Sequence, residues 1–89
     1  MTKYHEQVTL TTSQVHTIDE ANQPFLNQCR RHEIDVTGSI DIATRKKGKV
    51  TLTPHGTLTD EAKAIELAYL DQIEITANNN CTITVTGVE

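Results

Sequence analysis

The sequence predicts an α+β fold: an open-faced β-sandwich in which a mainly antiparallel four-stranded sheet carries two helices on one face. The element order is βαββαβ, with one more short strand at the end. Three observations lead there. Apolar and polar residues alternate along several runs, which is the period of a half-buried strand. Two other stretches carry apolar residues three or four apart, the period of a helix packed on one side. Threonine occupies 15 of the 89 positions, and its β-branched, hydroxyl-bearing side chain suits a strand that is wet on one face.

Residues 6–12 place Val8 and Leu10 on one side and Thr9 and Thr11 on the other, giving a first strand. Over residues 17–33, Ile18, Ala21, Phe25 or Leu26, and Cys29 fall at helical spacing, and Thr17 with Glu20 matches a capping box. Pro24 interrupts this stretch, so the expected helix is kinked or runs only from Pro24 to His32. Ile34, Val36, Gly38, Ile40 and Ile42 then alternate with polar residues in one long strand. The turn Arg45-Lys46-Lys47-Gly48 joins it to Lys49–Thr53, which reads as a hairpin partner. Thr57 or Thr59 caps a second helix, with Ala62, Ile65, Ala68 and Tyr69 along one face. Ile73 and Ile75, then Ile83 and Val85, mark two further strands about the turn Asn78-Asn79-Asn80. Two helices cover one face of a four-stranded sheet, so the other face meets solvent or a partner and is tiled with threonine.

Length makes the chain a single domain, residues 1–89. A domain of this size buries about 60% of the surface its unfolded chain exposes, and with 3% aromatic residues its core is thin. That argues against a deep active-site cavity. Twelve acidic residues against eight basic ones give the wrong sign for a dedicated nucleic-acid binder. No apolar run approaches the roughly 20 residues that cross a bilayer, and MTKYHEQVTL lacks a signal-peptide core. Cys29 and Cys81 stand far apart and read as reduced, partly buried thiols. The expectation is a cytoplasmic protein whose partners are other proteins, without nucleic acid or membrane, and with self-association into a homo-oligomer left open.

His16 is the candidate for chemistry. A neutral imidazole at the start of the first helix would sit where free N–H groups and the helix dipole stabilise a phosphoryl group. Thr17 lies beside it, and the cations Arg45, Lys46 and Lys47 are expected at the same end of the sheet as further phosphate or partner contacts. His5, His32 and His55 have no metal-ligand spacing, and no glycine-rich phosphate loop or serine elbow occurs. No metal or cofactor is expected.

Val8-Thr9-Leu10-Thr11, the loop carrying Val15-His16-Thr17, and Ile34-Asp35-Val36-Thr37 resemble the histidine-containing phosphocarrier (HPr) family of the sugar phosphotransferase system. Val50-Thr51-Leu52 and Ile73-Glu74-Ile75-Thr76 look like that family's third and fourth strands, so the resemblance spans residues 7–77. The family's Arg and Pro after the His are not preserved, since Thr17, Ile18 and Asp19 follow His16. The resemblance implies a divergent phosphocarrier or regulatory protein that accepts a phosphoryl group on His16, at most a carrier and not a free-standing enzyme. The alternative is a non-catalytic protein-interaction module that docks partners through its threonine face or an exposed edge strand.

Overall fold

The structure is a computed structural model describing residues 1–60, 62–65 and 69–89. It is built of eight strands: β1 (Thr2–Leu10), β2 (Val15–Asp19), β3 (Arg31–Thr37), β4 (Ser39–Lys46), β5 (Thr53–Thr59), β6 (Ala62–Ile65), β7 (Leu70–Ala77) and β8 (Cys81–Val88). They form two four-stranded sheets, in the orders β1-β8-β3-β6 and β2-β7-β4-β5. All pairings are antiparallel. Every odd strand and its successor lie in different sheets, so each of those links carries the chain from one sheet to the other. This strand order is that of a jelly roll, two sheets closed face to face.

The expected α+β fold and both helices are therefore corrected: among the described residues, helical backbone is limited to one 3-10 turn, Leu26–Gln28. The first expected helix fails for local reasons. Val15, Thr17 and Ile18 are β-branched and extend as β2 beside β7. Asp19 then folds the chain back, its carboxylate accepting the backbone N–H groups of Ala21 and Asn22 at 3.1 and 3.2 Å. This Asx turn takes the place of the expected Thr17–Glu20 capping box. Pro24, without an N–H, stops any helix that would run through it from the preceding turn, and the turn after it ends at Cys29, where the backbone is extended again. Leu26 and Cys29 plug the end of the core, whereas Phe25 stays 46% exposed.

The second expected helix is replaced by β5 and β6. Thr57 and Thr59 flank the buried Leu58 at strand spacing, Asp60 turns the chain at φ 44°, and Ala62–Ile65 pairs with β3. Ala68, expected on that helix face, lies outside the described residues. Lys49–Leu52 is a loop and not a hairpin strand, and the strand after it begins at Thr53. Nor is the run from Ile34 to Ile42 one strand. It breaks at Gly38, whose φ of 116° turns the chain across the sandwich, and a Cβ there would lie 2.5 Å from that of Cys81. Ile34 and Val36 face the core from one sheet, Ile40 and Ile42 from the other. An unbroken alternation thus survives a change of sheet.

The open face is corrected as well. Ile18, Ile40, Ile42, Leu58, Ile73 and Ile75 of one sheet meet Leu10, Ile34, Val36, Ile83 and Val85 of the other in a single core. Each such side chain contributes roughly 1.5–3 kcal/mol by leaving water. The dry face of each sheet is covered by the other sheet, so threonine tiles two wet outer faces; Thr82, Thr84 and Thr86 line the outside of β8. Among the described residues no helix is long and apolar enough to cross a membrane.

Candidate functional site

His16 sits near the start of β2, directed toward the open side of the sandwich where β1 and β2 are the edges of the two sheets. Its side chain is 25% exposed, and its Nε2–H donates to the Glu6 carboxylate in β1 at 2.8 Å. Alternation explains the meeting: Glu6 shares the parity of buried Tyr4 and Leu10, and His16 that of buried Ile18. The pair closes the mouth between two edge strands. The helix N-terminus expected to support a phosphoryl group at His16 is absent, since the backbone there is paired with β7. Thr17 points to the opposite, outer side, and its carbonyl accepts from the Asn22 side-chain amide at 2.7 Å.

The basic residues are not brought to His16. β2 and β4 both run antiparallel to β7 and hence parallel to each other. His16 lies at the beginning of β2, level with Ile42 through Ile75, whereas Arg45 lies level with Asp19 through Gln72. Three residues along the strand and two strand spacings across the sheet put their backbones about 14 Å apart, with the side chains on opposite faces of the sheet.

Arg45, Lys46 and Lys47 instead shape a separate tip. A bulge between Arg45 and Lys46 in the β4–β7 ladder leaves Asp71 unpaired, and this aims its carboxylate at the loop. The Gly48 N–H donates to Asp71 at 2.9 Å, and Arg45 lies 3.5 Å from the same carboxylate. Arg45 also donates to the Lys49 carbonyl at 2.9 Å. The Lys47 N–H donates to the Tyr69 carbonyl at 2.7 Å, and the Tyr69 N–H to the Cys29 carbonyl at 3.0 Å. Arg45 and Asp71 therefore spend their charges holding the loop, while Lys46, Lys47 and Lys49 stay exposed around the 44% exposed Tyr69. These four residues line a cavity of about 430 Å³. Val50, beside them, is 94% exposed. Asp71 and Tyr69 could not be assigned to the tip from the sequence, because no local spacing joins them to residues 45–49.

A second cluster was also missed. At the same end of the sandwich Tyr4, Gly87 and His32 form one cross-strand row over β1, β8 and β3. The Tyr4 and His32 rings are 5.6 Å apart between centroids. Cys29 packs against this row at Gly87, and Cys81 lies at the other end of β8 against Gly38. Both cysteines are buried and free. Burial raises both thiol pKa values, so neither is a ready nucleophile. Among the described residues no three His, Cys, Asp or Glu side chains converge as a metal site would require.

The phosphocarrier resemblance is corrected with the fold, because it needs two helices on one face of a single sheet and the chain has two sheets face to face. No protein-family model matches the sequence, and no curated protein matches it. The chain is similar in fold, and at 10% identity in fold alone, to the crystal structure of the SPBc2 prophage-derived protein YomS, with a TM-score of 0.58 over 97% of this chain and 96% of that one.

Proposed function

We propose that this protein is a non-catalytic protein-interaction module that accepts an extended strand along the free edge of β1. One observation carries the reading. Among the described residues there are four edge strands: β2 has 5 residues, the described part of β6 has 4, and β5 contains Pro54 and a bulge at His55. Short length, proline and bulges are the devices that keep an edge from pairing. β1 has 9 residues, contains no proline, and pairs with β8 on one side only. Beyond an irregularity between Thr2 and Tyr4 its register is continuous.

Strand addition supplies main-chain hydrogen bonds worth about 1 kcal/mol each, and side chains of alternate residues supply selectivity. His5, Gln7 and Thr9 line the outer face of this edge. The partner is a second copy of this chain: two β1 strands side by side would join two four-stranded sheets into one. A cytoplasmic location belongs to this reading, supported by two buried cysteines that form no disulfide with each other.

Sedimentation equilibrium over a concentration series, with amide hydrogen exchange along β1, tests this. Association should appear with rising concentration, protect β1 amides, and be lost when Gln7→Lys and Thr9→Lys add edge charges, while His16→Ala leaves it intact. A monomer throughout, or association that protects β1 no more than β5, would sink the reading. So would acid-labile phosphate on His16, absent from His16→Ala, after treatment with a histidine-phosphorylating enzyme and its donor.

A further inference from the structure

We infer that the tip formed by Lys46, Lys47, Lys49 and Tyr69 binds single-stranded nucleic acid, a role independent of the β1 edge. Net charge hides this site. Four of the chain's eight Lys and Arg residues fall within positions 45–49, leaving the rest with four cations against twelve carboxylates. A polyanion is repelled by that body and drawn to the tip, which orients its approach.

The tip has both parts that single-strand binding uses, cations for phosphates and an aromatic face for a base. The three lysines have no acidic partner among the described residues; the salt bridges there involve Lys3, His16, Arg31 and Arg45. Tyr69 lies among them in the 430 Å³ cavity, half out of water, whereas the other tyrosine, Tyr4, is 6% exposed. The backbone that carries the ring is fixed. Tyr69 has φ 61°, a left-handed conformation that favours glycine or asparagine, and hydrogen bonds at both its N–H and its carbonyl fix it there. An acidic peptide would use the lysines but gain nothing from the ring face. A lipid surface needs a broader apolar face than Val50 and Tyr69 offer.

Fluorescence anisotropy of a labelled single-stranded oligonucleotide, titrated with the whole protein at low ionic strength, tests the site. Binding should be outcompeted by unlabelled single strand and not by polyglutamate. Tyr69→Ala should weaken it about tenfold, the scale of one lost base stack, while Tyr69→Phe keeps it. Lys46→Ala, Lys47→Ala and Lys49→Ala together should reduce the slope of log affinity against log salt by about 2, at about 0.7 per phosphate contact. Far-UV circular dichroism identical to wild type shows each variant folded. No binding at low salt, equal competition by polyglutamate, or an unchanged affinity in Tyr69→Ala would overturn the inference.

Discussion

The ring of Tyr4 lies across Gly87, its cross-strand neighbour, in the space a side chain would fill. Cys29 Sγ is 2.7 Å from the same point. A strand interior is a poor place for glycine unless another group needs the room, and here an aromatic ring does.

Gly87→Ala should therefore destabilise the fold by about 2–3 kcal/mol, the upper part of the roughly 1–3 kcal/mol range for overpacking a filled core. Gly48→Ala is the contrast. Gly48 has φ 78° but nothing within 4 Å, so only left-handed strain opposes the methyl group, at about 1 kcal/mol. Urea unfolding of the two variants should separate them; equal losses would mean the Tyr4 contact is not tight.

His32 sets a second test. Its ring is fully buried, and neither nitrogen has a hydrogen-bond partner among the described residues. Burial lowers its pKa from 6.5 to about 4. Unfolded His32 takes up a proton near the higher value and folded His32 near the lower one. Between them the unfolded state binds more protons, so stability falls as the pH falls. The loss should reach up to about 3 kcal/mol by the bottom of that window, and His32→Leu should remove most of it. His55, lowered by burial and by Lys63, adds a smaller term of the same sign. Asp41, held low by hydrogen bonds from Thr57 and Asn78, acts only below its ordinary 3.8. Denaturation midpoints across these pH values, compared between wild type and His32→Leu, decide the matter.

The Glu6–His16 contact joins the two sheets at their edges. At 25% exposure on both sides, its coupling energy should be about 0.5–1 kcal/mol in a double-mutant cycle of Glu6→Gln and His16→Ala at neutral pH. A value near zero would make the contact incidental to closing the mouth.

Asp71→Ala should free the basic loop without unfolding the sandwich. The Gly48 N–H loses its acceptor and Arg45 its carboxylate. Stability should drop by about 1 kcal/mol, and exchange of the Gly48 amide should speed up while amides of β8 keep their protection. Unchanged Gly48 exchange would show that the turn at Lys46–Lys49 holds the loop without Asp71.

Much of the core was legible. Leu10, Ile34, Val36, Ile40, Ile42, Ile73, Ile75, Ile83 and Val85 alternate in the sequence, and all are buried, because a period of two separates a dry face from a wet one wherever a strand runs. Spacing of three or four misled over residues 17–33 and 57–69, where short strands and turns happen to place Ile18, Leu26, Cys29 and Ile65 at helical intervals. The candidate site shows the same division. Arg45–Lys49 was readable as a cationic turn, but Asp71, Tyr69 and the Glu6 partner of His16 were not.

The sequence by itself determined which side chains leave water along each strand, where the Asn78–Asn80 turn falls, and that half of the cations gather in five residues. Only the tertiary structure decided what covers those dry faces. Alternation says that a face must be covered and is silent on whether helices or a second sheet will do it, since both hide the same Ile and Val side chains. The jelly-roll pairing also decided that Glu6 meets His16, and that Arg45 and His16 lie apart. Those relations depend on strand register and crossing between sheets, set by many weak contacts together rather than by any local run of residues.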